Sequence, residues 1–336
     1  MSFLILTREG NELKLKDIYE LVIMKGIEND PRNQEVLLAA LEKEREAFDD
    51  LKESEKKEFD QERLVNPFAD TRMLVGSPDQ EVRRVLAGID MEVGEVLLAD
   101  RLSERGQQID LIIAHHPEGK ALSAMHQVMK VQADILANYG VPINVAEGIL
   151  SSRISEVKRG MMPLNHNRAV DAAKLLGISF MCVHTATDNL VQSFLGKTID
   201  SEKPSTLGDL LKLLKSIPEY ARAVQLNAGP TIIIGNKDRR AGKIMVDMTG
   251  GTSGSADAYS KMAVAGVGTV VLMHITEKHR KEAEKHHINV VVAGHIASDS
   301  LGMNLFLDEL VARGVEVIPC SGLLRETREG CAGSCG

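Results

Sequence analysis

From about residue 84 to residue 319, short apolar runs alternate with helix-length amphipathic segments, and this cadence constrains the fold most. Residues 84–90, 110–116, 178–184, 231–234, 243–248, 267–273, 288–293 and 315–319 read as buried strands. Each is too short and too rich in Val and Ile to be a helix, and most are bounded by Gly, Pro or polar residues. Residues 91–104, 121–139, 147–159, 164–176, 206–214, 256–264, 277–286 and 301–311 read as helices between them. A β-α-β-α order of this kind implies an α/β architecture with a largely parallel sheet.

Residues 1–66 have a different texture. Apolar residues fall at near-helical spacing over residues 15–27 and again at Val36, Leu37, Leu38, Leu41 and Phe48. Residues 42–63 are dense in charges of both signs, as on a solvated helix face. This segment reads as a helical extension packed on the main body, in preference to a docking element. Asn66-Pro67-Phe68 marks its end. The main body divides into a first lobe over residues 67–198 and a second α/β segment over residues 205–319, joined by a polar stretch around residues 197–206. Residues 320–336 read as a flexible tail, with Cys331 and Cys335 in a Gly-rich setting that is weak evidence for a metal or redox pair.

The chain has 336 residues and a formal net charge of -8, which gives no footprint for a nucleic-acid backbone. Aromatic residues are only 3%, without Trp, so base-stacking platforms are excluded as well. Four cysteines in a chain of this length form no disulfide framework. No apolar run long enough to span a membrane and no secretory leader is evident, so a cytoplasmic protein is expected.

Chemistry collects at three strand ends. The first is His115-His116-Pro117, where Pro117 stops the strand. The second is His184-Thr-Ala-Thr-Asp188, and the third is Gly294-His295-Ile-Ala-Ser-Asp299. Parallel strands bring their C-terminal ends to one edge, where open α/β sheets place ligands. Imidazoles and carboxylates without thiolates suit Zn, Fe or Mn. One catalytic zinc needs only three protein ligands, so this larger set points to two divalent metal ions. Duller roles compete: Asp299 as a helix N-cap, Asp188 as a loop cap, and His184 as a residue that orients a ligand without binding the metal. Gly250-Gly251-Thr252-Ser253-Gly254 lies between a strand and a helix, where backbone amides can cradle phosphate. It lacks a P-loop lysine, so a tight structural turn is the preferred reading.

These segments resemble the Nif-three-like family of dinuclear-metal proteins, some of whose members are described as type two GTP cyclohydrolases. The resemblance runs from about Asp70 to Val311 and rests on Met73 to Asp90, Asp110 to Pro117, His184 to Asp188 and Gly294 to Asp299. It implies a fold of two α/β lobes, with the first 66 residues as an addition. It also implies that His115, His116, Asp188, His295 and Asp299 hold two metals, and that the chain assembles as a ring-like homohexamer. Asp299 stands where the family usually has Glu, and His274 replaces part of its usual Thr-Gly-Asp segment. The expected function is metal-dependent hydrolysis of a nucleotide, with ring opening of GTP as the named reaction and His184 or His274 as proton carrier. The alternatives are a metallophosphoesterase and a non-catalytic metal-binding or regulatory interaction protein.

Overall fold

The computed structural model describes residues 13–328; Cys331 and Cys335 lie outside the described residues. The chain opens with helices α1 (Leu15–Glu28), α2 (Gln34–Asp49) and α3 (Glu53–Lys56). The first lobe follows with β1 (Thr71–Val75), β2 (Arg84–Gly88), α4 (Val93–Glu104), β3 (Leu111–Ala114) and α5 (Gly119–Ala124). Helices α6 (Val131–Asn138), α7 (Ile143–Met161) and α8 (Arg168–Leu176) lead to β4 (Ser179–Val183) and the long α9 (His184–Glu202). Then come α10 (Leu207–Lys215), α11 (Pro218–Gln225), β5 (Thr231–Ile234), β6 (Lys243–Asp247), α12 (Ala258–Val264) and β7 (Val267–Leu272). Helix α13 (Glu277–Lys285), β8 (Asn289–Val292), α14 (His295–Val311) and β9 (Glu316–Pro319) complete the chain.

Two sheets form, ordered β1-β4-β3-β2-β9 and β5-β8-β7-β6. Each is parallel except for one antiparallel edge strand, β1 against β4 and β5 against β8. The expected α/β architecture of two lobes is therefore present, with the N-terminal helices added. Several details differ from the sequence reading. Strand β9, expected in the second segment, returns to the first sheet and pairs with β2. Helix α9 runs through the polar stretch expected to separate the lobes, because its apolar residues continue at helical spacing through Val191, Leu195 and Ile199. The single helix expected over residues 121–139 is broken by a 3-10 segment at Met125–Lys130.

Helices α9 and α14 are the shared layer between the sheets. Ala186 and Leu190 of α9, with Met303, Phe306 and Leu307 of α14, pack under the first sheet in a core with Val85, Ile113 and Met181. Val191 and Leu195 of α9, with Ala297 and Leu301 of α14, pack under the second sheet against Val246, Val271 and Val291. A helix apolar on both sides has no solvent face to lose, so its position is set from both directions. Close approach of the two helices requires Gly302, where a Cβ would stand 2.4 Å from the Thr187 carbonyl oxygen.

Helix α1 is part of this body: Leu15, Ile18 and Val22 are fully buried, and Gly26 lies against Ala186 of α9. Helix α2 buries only Leu37 and Leu41. Residues 320–328, expected to be flexible, are held down. Leu323 and Leu324 are buried, Arg325 pairs with Asp308 at 2.5 Å, and Arg328 pairs with buried Glu219 at 2.9 Å. Among the described residues, no helix is long and apolar enough to cross a membrane.

Candidate metal centre

Three chain turns bring the histidines together. Strand β3 ends at Ala114, and the chain turns so that His115 and His116 face one space despite being adjacent. Helix α9 begins at His184 directly from β4, and α14 begins at His295 after Gly294, whose φ of 112° suits glycine alone. In both helices an aspartate follows four residues after the first histidine, so each His/Asp pair shares a helix face. Asp188 and Asp299 thus lie one turn inside their helices, and neither serves as a cap. The strand ends involved come from both sheets, and convergence occurs across the seam between them.

The distances are close. His115 Nε2 lies 3.5 Å from Asp188 Oδ1 and 3.4 Å from Asp299 Oδ1. His116 Nε2 and His295 Nε2 each lie 3.5 Å from Asp299 Oδ2. His184 Nε2 lies 3.8 Å from Asp188 Oδ2, and its ring sits 5.0 Å from that of His115. His274 stands at the exposed rim, its ring 4.9 Å from that of His295. His126 and His166 lie elsewhere, and His166 Nε2 is engaged with the Met161 carbonyl.

Hydrogen bonds behind the rings decide which nitrogen faces inward. The Thr187 hydroxyl donates to the Val183 carbonyl, so it accepts from His115 Nδ1 at 3.1 Å. His116 Nδ1 donates to Asp90 at 2.6 Å, and His184 Nδ1 donates to Asp70 at 2.8 Å. These partners leave Nε2 lone pairs pointing at carboxylate oxygens. His115 Nε2, Asp188 Oδ1 and both oxygens of Asp299 are buried without a hydrogen-bond partner. Acceptors facing acceptors in a buried space need a cation or extra protons. The role of Asp70 is not legible in the sequence, since no local pattern marks a carboxylate 114 residues from the histidine it holds; Asp90 is read there only as a strand end.

Electrostatics expresses the same conflict. Burial pulls His115 down to about 4, so it is neutral at pH 7. Burial pushes Asp188 up to about 8, against the pull of His184. Burial alone would lower His184, but Asp188 and Asp70 hold it up at about 9. Burial opposes the charge on Asp299 as well, yet the surrounding histidines hold it well below the usual carboxylate range. Three sets of ligand atoms are close enough to share an ion: His116, His295 and Asp299; His115, Asp188 and Asp299; and His115, His116 and His184. Buried His/Asp groups of this make-up can bind metal ions.

A narrow cleft of about 70 Å³ opens beside the cluster, lined by His184, His274, His295, Asp247 and the Gly-rich loop. The loop is anchored through its carbonyls, which accept from Gln132 at Gly250 and Thr252, from Arg153 at Ser253 and from His279 at Gly254. A Cβ at Gly250 or Gly254 would collide with Gln132, and one at Gly251 with Val128, so packing accounts for the glycines. A larger groove of about 760 Å³ runs between the end of α1, α6, α9 and β6. None of the clustered histidines lines it.

The chain matches no family model and no curated protein sequence. Solved structures do match. A NIF3 superfamily protein from Sphaerobacter thermophilus is 29% identical with a TM-score of 0.67, over 76% of this chain and 92% of that one. Reduced HcgD from Methanocaldococcus jannaschii is 16% identical with a TM-score of 0.48, over 80% of this chain and 97% of that one. A Bacillus cereus protein related to NIF3 is 11% identical with a TM-score of 0.39, over 75% and 91% of the two chains. In fold, the chain is a structural match to the NIF3 superfamily, the Nif-three-like family that its histidine-bearing segments resemble.

Proposed function

We propose that this protein is a dinuclear-metal hydrolase acting on a nucleotide, with hydrolytic opening of the GTP five-membered ring as its reaction. The observation that carries the metal reading is Asp299, whose two oxygens are buried, unpartnered and turned toward different histidines. His115, His116, Asp188, His295 and Asp299 would hold the two ions, with Asp299 standing where the family usually has glutamate. Zn, Fe and Mn all suit this nitrogen and oxygen set. When bound, such a pair supplies Lewis acidity and a water acidified to neutral pH.

The chain's own groups do the rest. Asp70 and Thr187 fix the His184 and His115 rings from behind. His184 and His274, which both line the cleft, would carry a proton to and from a bound ring. The Gly250–Gly254 loop walls the cleft, and a phosphate chain leaving the cleft would pass it. The ring-opening step and the homohexamer rest on family resemblance.

The test is elemental analysis of the wild type and of a His115→Ala, Asp188→Ala double variant after reconstitution. Near two metals per subunit in the wild type, lost in the variant, supports the centre. Formate release from GTP by the loaded wild type then supports ring opening. Phosphate release without formate moves the reading to a metallophosphoesterase, and metal without turnover moves it to a binding protein. Light scattering tests the hexamer.

A further inference from the structure

Asp247 is the last residue of β6 and lines the cleft beside the histidine cluster. It is half-buried, yet among the described residues its carboxylate makes no hydrogen bond or ion pair. Several half-buried or buried aspartates away from the cleft do find donors: Asp70 has Thr185 and His184, Asp110 has the amides of Arg83 and Arg84, and Asp30 has Arg32 and Asn189. Burial by itself pushes Asp247 up to about 6, with no neighbouring charge or donor to offset it. A half-buried carboxylate with no protein donor keeps both acceptor oxygens free for a ligand in the cleft.

Sheet register places this carboxylate relative to the centre. Strands β6, β7 and β8 are parallel, with Asp247 level with Leu272 and Leu272 level with Val292. The turn carrying Gly294 and His295 follows β8 directly. Asp247 therefore stands two strand spacings, about 10 Å, from the chain that enters the metal-ligand turn, at the same C-terminal edge. Both line one narrow cleft.

We infer that Asp247 is the substrate-reading residue of this cleft, accepting the paired ring N1–H and 2-amino donors of a guanine base. This rests on the proposed ring-opening function and names what that site recognises. The chemistry of the base fits the layout. The carbon to be attacked, C8, is on the five-membered ring, and the N1–H and 2-amino edge is at the opposite end. A guanine with C8 at the histidine cluster turns its donor edge away from it, across the cleft. An ionised carboxylate has two acceptor oxygens and can take both N–H groups side by side. Adenine lacks that donor pair, and hypoxanthine lacks the 2-amino group.

The test is calorimetry on the metal-loaded full chain with the 7-deaza triphosphates of guanosine, inosine and xanthosine. These lack the C8=N7 bond, so binding is read without turnover. Wild type is expected to bind the guanosine form about tenfold or more tighter than the inosine form. Asp247→Ala should erase that gap. Asp247→Asn should shift the preference to the xanthosine form, because its amide offers one acceptor and one donor to N1–H and the 2-oxo group. A gain of xanthosine affinity cannot come from misfolding. If wild type does not discriminate, or if the guanosine preference survives both substitutions, the inference fails while ring opening can stand. If wild type binds none of the three and releases no formate from GTP, both readings fail together.

Discussion

Asp70 has no exposed surface, and its carboxylate takes the His184 Nδ1 proton at 2.8 Å and the Thr185 hydroxyl at 2.7 Å. Replacing it with alanine leaves both donors buried and unpaired. Breaking a buried charge-assisted pair of this kind should cost about 3 kcal/mol, read from urea denaturation at pH 7. Asp70→Asn keeps an acceptor but holds the ring less firmly, so metal affinity should fall about tenfold to a hundredfold in a chelator competition. The same cluster sets a pH dependence for the protein stripped of metal. Above pH 6.5, the ordinary histidine value, the folded chain holds protons on His184, raised to about 9, and on Asp188, raised to about 8. The unfolded chain has released both, so the folded state binds more protons and stability falls as pH rises. His115 is displaced downward and acts only below 6.5. The thermal midpoint of chelator-treated protein should therefore fall steadily from pH 6.5 to 9. A flat or rising profile over that window would contradict the buried His184–Asp188 pairing.

At the scale of elements, the seam between α9 and α14 keeps Asp188 opposite Asp299, and Gly302 keeps the seam tight. A Cβ there meets the Thr187 carbonyl oxygen at 2.4 Å and a Val191 methyl at 2.8 Å, so backbone itself must yield. Gly302→Ala should destabilise by about 1–3 kcal/mol and lower metal content below that of wild type. Gly148, exposed on α7 with nothing within 4 Å of its Cβ position, is the contrast. Gly148→Ala should stabilise by about 0.5–1 kcal/mol, because only helix propensity is at stake. Equal effects at the two sites, measured by denaturation, would remove the argument for close helix contact. Much of this layer was legible in the sequence. Strands β2 to β9 follow from their apolar runs, and the His/Asp spacing in two motifs already implies one helix face. What stayed hidden is non-local. Strand β1 carries Arg72 and Thr71 among apolar residues, and buried Arg72 is met by Asp60 and Glu62 from the extension and by the Phe68 and Thr71 carbonyls. Likewise, the break at Met125–Lys130 follows no change in apolar spacing; those residues pack under α7 as a separate small core.

At the scale of the molecule, the centre joins parts that no strand connects. His115 and His116 hang from the first sheet, whereas His295 and Asp299 enter from the second through α14. The N-terminal extension reaches the same place: Asn189, next to Asp188, donates to the Gly26 carbonyl and Asp30, and accepts from Thr249 before the Gly-rich loop. Ions shared by these groups would thus tie both sheets and, through α9, the extension. A ligand bound only by the folded state stabilises it by about 2.7 kcal/mol at a hundred times its dissociation constant. Chelation should lower the thermal midpoint by several degrees, and the loss should be localised. Hydrogen exchange should quicken in the first two turns of α9 and α14, where Asp188 and Asp299 would lose a shared partner and face other acceptors. Helices α2 and α3 should exchange at one rate with or without metal, since they bury little and touch none of the ligands. If α2 and α3 instead loosen together with α9, the extension depends on the centre as closely as the two sheets do, and it belongs to the same cooperative unit.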